Sequence, residues 1–164
     1  EGGFEAAVHQ TSSWYSLQNL QFNSSYRFRV YAFNQLGYSA PTNDWIVNTG
    51  PTQPVGFSAT RNNSTTISMS WGNVAGESSF LVQRSAGTPW DFTTIATLGA
   101  DVLSYVDNAA HEFESWTYRV IAVNSTGAQS VPSTSTTIAT THAPQSAPAS
   151  RNAPAAAWRP APPR

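Results

Sequence analysis

The run Trp116-Thr-Tyr118-Arg-Val120-Ile-Ala122-Val-Asn124-Ser-Thr-Gly127 decides the fold. Its residues Trp116, Tyr118, Val120 and Ala122 fall at every second position, with Thr117 and Arg119 between the first three. Strand side chains alternate between two faces, so a period of two predicts a strand with one buried face. The Asn124-x-x-Gly127 at its end predicts a turn, because both residue types tolerate positive φ. A strand returning through residues 135–141 should complete a hairpin.

The same pattern stands 90 positions earlier: Tyr26, Phe28, Val30, Ala32, Asn34 and Gly37 match the six positions one for one, and Tyr15 matches Tyr105. A fixed offset of this kind marks an internal repeat. The first copy should return through Trp45 to Thr49. Between the copies lie the alternating runs Val55 to Ala59, Ile67 to Trp71, Phe80 to Arg84, Thr93 to Leu98 and Ser104 to Asp107, with a turn at Arg61 to Ser64. Seven strand-like runs within about 90 residues predict an all-β, immunoglobulin-like sandwich.

Taken together, Trp71, the Val82-x-Arg84-Ser85 strand end, Phe92-x-x-Ile95-Ala96, Tyr105-x-Asp107 and the aromatic-x-Tyr-Arg-Val-x-Ala-x-Asn-x-x-Gly run resemble the fibronectin type III module. The resemblance implies a C-terminal part of one module over residues 1–49, a short Pro-containing linker at 50–54, and a complete module over 55–141. It implies structural roles for Tyr26, Trp71, Tyr105, Trp116, Tyr118 and Val120. It also implies a tyrosine corner, in which the Tyr opening the sixth strand bonds back to the preceding loop. Leu20 and Tyr26 keep that arrangement, whereas the second copy has Trp116, whose indole offers a different donor geometry. The first copy lacks its opening strands and should expose its core face. The expectation is therefore a chain that begins inside a longer one, or a second subunit that supplies the missing strands.

Only 10% of residues are charged and the net charge is −1, which argues against recruitment of nucleic acid or an anionic membrane by charge. No run approaches the roughly 20 apolar residues that span a bilayer. Cysteine is absent, so disulfides and thiolate metal sites are excluded. His9, His111 and His142 are far apart and the carboxylates are scattered. No catalytic residues, metal ligands or cofactor-binding residues are assigned, and no cofactor is expected.

Asn23, Asn62, Asn63 and Asn124 each begin an Asn-x-Ser/Thr sequon in a predicted turn, where a glycan could stand without being buried. The topology implied by the resemblance puts Asn23 and Asn124 beside one inter-module joint, and the linker, stiffened by Pro51 and Pro54, predicts a semi-rigid rod. Trp14, Trp45 and Trp90 invite sugar stacking, but strand alternation predicts that at most two of them are exposed. Residues 142–164, in which Pro and Ala make up 14 of 23, predict an extended or disordered tail with Ser146 and Ser150 as O-glycan candidates.

The leading expectation is an extracellular or cell-surface structural and assembly module whose partners are neighbouring modules, subunits and glycans. A spacer or carbohydrate-contacting accessory domain of a secreted polysaccharide-degrading enzyme, and an adhesion or receptor ectodomain, are the alternatives.

Overall fold

The computed structural model describes residues 8–86, 90–111 and 113–139. The tail expectation, with Ser146 and Ser150, lies outside them. Eleven strands are present among the described residues: β1 (Ser25–Phe28), β2 (Phe33–Asn34), β3 (Gly37–Tyr38), β4 (Trp45–Asn48), β5 (Ser58–Arg61), β6 (Ile67–Ser70), β7 (Ser79–Ala86), β8 (Thr93–Gly99), β9 (Ser104–Asp107), β10 (Ser115–Val123) and β11 (Thr136–Ala139). No helix of the described residues is long and apolar enough to cross a membrane.

Strands β5 to β11 form an all-β, immunoglobulin-like sandwich. One sheet has the order β5-β6-β9 and the other β11-β10-β7-β8, with every pairing antiparallel. Alternation explains the filling. Ile67 and Met69 of β6, Phe80 and Val82 of β7, and Trp116, Tyr118, Val120 and Ala122 of β10 meet in one core with Phe57 and Trp71. Phe80, Val82, Tyr118, Val120 and Ala122 are fully buried, and each large apolar side chain so placed contributes about 1.5–3 kcal/mol. Trp71 lies between Phe57 and Phe80, with ring centroids 6.5 and 5.7 Å away. The alternation of β10 is less strict than its sequence pattern, because Thr117 and Ile121 on the outer face are buried as well. Thr117 meets the Thr137 hydroxyl of β11 across the strand pair at 2.8 Å.

The N-terminal part is a hairpin of β1 on β4, extended by the small β2–β3 ladder. It departs from the expected long strand, since residues 29–32 are not in a ladder. In both copies this stretch is held by hydroxyls. Val30 N donates to Thr42 Oγ1 and Ala32 N to Ser39 Oγ; correspondingly, Val120 N donates to Ser133 Oγ and Ala122 N to Ser130 Oγ, all at 3.0 Å. Residues 120–122 remain strand because β7 pairs with their other edge. In the hairpin, no described strand lies beside the corresponding residues.

These equivalences also correct the offset. Val30 and Ala32 map onto Val120 and Ala122 at 90, but Ser39 and Thr42 map onto Ser130 and Ser133 at 91. One residue has been added after Gly127. Both turn glycines have positive φ, 131° at Gly37 and 83° at Gly127, as the turn chemistry requires. Asn23 and Phe113, 90 apart, are both left-handed, at 51° and 63°.

Candidate functional site

The N-terminal hairpin and the sandwich meet at a junction built around two asparagines. Asn23 reaches it from the turn before β1. Its backbone N donates to Gly50 O at 2.9 Å, and its Nδ2 donates to Ala75 O, in the loop between β6 and β7, at 2.8 Å. Asn124 reaches it from the end of β10. Its Nδ2 donates to Thr49 O at 3.0 Å and, more weakly, to Asn23 Oδ1 at 3.3 Å. Its Oδ1 accepts from Thr126 N, Thr126 Oγ1 and Ala128 N, which fixes the turn.

Backbone packing leaves little clearance here. A Cβ on Gly50 would collide with the Gln129 carbonyl, and one on Gly76 would come within 2.7 Å of Asn23 Nδ2. Pro51 and Pro54 of the linker are fully buried, and Gln53 Nε2 donates to Pro132 O at 2.6 Å. Thr49 ties the hairpin side, with its hydroxyl accepting from Ser24 N at 2.9 Å and donating to Gln21 O at 2.6 Å. Asn124 is the buried polar side chain of the junction, and a polar group buried without a partner costs about 1–3 kcal/mol, so its bonds to Thr49 and Asn23 favour the closed arrangement.

The sequence-derived residues divide by location. Trp71, Trp116, Tyr118 and Val120 are core residues, and Tyr105 packs against that core, partly buried. Tyr26 forms the expected corner: Gln21 N donates to its hydroxyl at 2.7 Å. Trp116 buries its indole N–H without a partner among the described residues, while the Arg84 guanidinium lies over its ring at 4.2 Å. Asp107 does more than support a turn. It is 3% exposed and accepts from Arg84 Nη1 at 2.8 Å, Tyr118 OH at 2.9 Å and Ala109 N at 2.9 Å. Burial, and then the adjacent Asp107 carboxylate, raise the Tyr118 phenol well above its ordinary range.

Two expectations are corrected. Trp14, Trp45 and Trp90 are all exposed, at 74%, 74% and 86%, against the expected maximum of two. For Trp45 the reason is that no second sheet covers β4 among the described residues. The second concerns Asn124, which is 7% exposed rather than displayed on an open turn. The nitrogen that would carry a glycan is the one that donates to Thr49 O and, more weakly, to Asn23 Oδ1.

His9 lies against Phe33 with centroids 4.9 Å apart, and His111 lies against Trp116 at 6.3 Å, so the two described histidines occupy separate parts of the molecule. Among the described residues no group of three or more His, Cys, Asp or Glu is arranged to hold a metal ion. A cleft of about 590 Å³ opens beside β1 and β4, bordered by Phe28, Val30, Trp45 and Val47. Thr49, Gln53 and Ala75 complete the junction. Ala75 and Thr49 act there through backbone carbonyls, which leave no side-chain signature; Gly50 and Gly76 were the available signals of close approach.

The chain matches no protein-family model and no curated protein sequence. Among solved structures it is similar to the FN1–FN3 domains of chicken CNTN1, at 20% identity and a TM-score of 0.51, with 76% of this chain and 45% of that one covered. It is also similar to an Fn3-like protein from Clostridium thermocellum, at 29% identity and a TM-score of 0.44, with 51% and 86% covered. The FN5 domain of Drosophila Lar follows at 19% identity and a TM-score of 0.47, with 57% and 99% covered. Three-stranded β5-β6-β9 against four-stranded β11-β10-β7-β8, joined to the CNTN1 likeness, gives the sandwich of this chain the fibronectin type III fold.

Proposed function

We propose that the chain is a non-catalytic structural and assembly unit of an extracellular or cell-surface protein, in which the N-terminal hairpin belongs to a preceding module and is locked to the sandwich as one semi-rigid unit. The observation that carries this reading is the junction: Asn124 and Asn23 bond across it, both linker prolines are buried, and Gly50 has no room for a side chain. A spacer needing free reorientation would have an exposed, polar linker instead. The partners are neighbouring modules or subunits. The hairpin offers them Phe33 and Leu36, which are 52% and 96% exposed, whereas Val30 and Trp45, 67% and 74% exposed, lie on the face that the rest of the preceding module would cover. Patches of this kind mark protein contacts more often than free surface.

Residual dipolar couplings measured separately on the hairpin and the sandwich test the lock. A single shared alignment tensor is expected for the wild type, with two tensors for Asn124→Ala and Gly50→Ala. Independent tensors in the wild type would defeat the reading.

The three exposed tryptophans favour a second reading, carbohydrate contact by an accessory domain. Titration with soluble oligosaccharides, followed by tryptophan fluorescence, separates the two: a saturable shift abolished by Trp45→Ala supports sugar binding.

A further inference from the structure

Four sequons compete, and the structure distinguishes them by what each amide nitrogen already does. Asn62 Nδ2 donates to Ser68 Oγ at 2.6 Å. Asn23 Nδ2 donates to Ala75 O, and Asn124 Nδ2 to Thr49 O. Asn63 differs. It is exposed in the hairpin turn between β5 and β6, and its Oδ1 accepts from Thr65 N at 2.9 Å and from Thr65 Oγ1 at 3.3 Å, whereas its Nδ2 makes no hydrogen bond among the described residues. The threonine two places on, the residue that defines the sequon, therefore already addresses the asparagine carbonyl. Asn124 shares this turn, with Thr126 N and Oγ1 at 3.1 and 2.7 Å from its Oδ1, yet its nitrogen faces the junction.

We propose that Asn63 is the N-glycan acceptor of this chain, and that the closed junction keeps Asn124 bare although its turn is of the same kind. The inference rests on the extracellular reading given above. The co-reactant is a saccharide activated as its glycosyl diphosphate and delivered by a separate transferase. Nδ2 of Asn63 forms a bond to the anomeric carbon, the carbon–oxygen bond to the diphosphate breaks with its electron pair leaving on the diphosphate, and one amide proton passes to a base of the transferase. The product is a neutral glycosyl amide, so the Oδ1 bonds to Thr65 survive. Chain direction places this turn at the end of β5 away from the linker, so a glycan there leaves the junction clear. On Asn124 the same bond would put a sugar between Thr49 and Asn23.

Site-resolved glycopeptide mapping of the full chain, secreted from a eukaryotic host, tests this. The wild type should carry a glycan at Asn63 and none at Asn124. Thr65→Ala should lose it and Thr65→Ser should retain it. Gly50→Ala and, as an independent way to open the junction, Asn23→Ala should make Asn124 acquire a glycan. A bare Asn63, or an occupied Asn124 in the wild type, overturns the assignment. An Asn124 still bare in both junction variants overturns the role given to the junction. Because the host supplies the secretory route, these failures leave the extracellular reading standing.

Discussion

Tyr118 and Asp107 show how a polar pair is kept inside the sandwich. The phenol is fully buried, and its hydroxyl donates to a carboxylate that also takes the Arg84 guanidinium. Burial favours the neutral phenol, so its folded pKa stands above the ordinary value of about 10. Below pH ~10 the phenol is protonated in both folded and unfolded chains and the contribution is constant. Above that, the unfolded chain ionises first and is stabilised by doing so. Stability should therefore fall as pH rises past about 10, and Tyr118→Phe should flatten the fall, as read by urea denaturation across pH. Asp107→Ala leaves both Arg84 and the phenol without their shared acceptor and should destabilise the fold by about 3–5 kcal/mol in the same assay. The sequence showed Tyr118 as a core position through its period. It gave no hint of the pair, because Arg84 and Asp107 meet only once β7 and β9 are in place.

At the scale of elements, β10 and the hairpin stretch from residue 26 present one pattern in two environments. Val120 is fully buried, while Val30, its counterpart, is 67% exposed. Val120→Ala should therefore cost about 2–3 kcal/mol, and Val30→Ala should stay within about 0.5 kcal/mol, by chemical denaturation of each variant. Equal losses would mean that Val30 is covered in solution. Alternation marked both stretches as strands and located five sandwich strands to within a few residues. It could not show that residues 29–32 depend on a neighbour, since a ladder belongs to two strands and the sequence displays one. The added residue after Gly127 has no sequence signature for a related reason: the hydroxyl partners Ser39 and Ser130 carry the register, and serine is common throughout this chain.

For the whole molecule the junction decides behaviour. Gly50→Ala places a methyl against the Gln129 carbonyl and should separate the hairpin from the sandwich. Hydrogen exchange should then quicken at the Asn23 amide, which bonds to Gly50 O, while the β10 amides paired with β7 stay protected. Protection unchanged at Asn23 would show that the linker accommodates the methyl. That Asn23 and Asn124 lie near one another was legible from the topology that the resemblance implies. That they are bonded was not, because the closing groups include the carbonyls of Thr49 and Ala75.

The buried linker also determines how the molecule would carry tension. A pull on the hairpin does not stretch a slack tether. It arrives at Gly50 and is divided at once among Asn124 on Thr49, Asn23 on Ala75 and Gln53 on Pro132. These anchors lie on the end of β10, the loop before β7 and the segment before β11. Load therefore enters both strands of the central pair and the segment leading to β11 together, and the junction yields as a group of bonds acting in parallel rather than one after another.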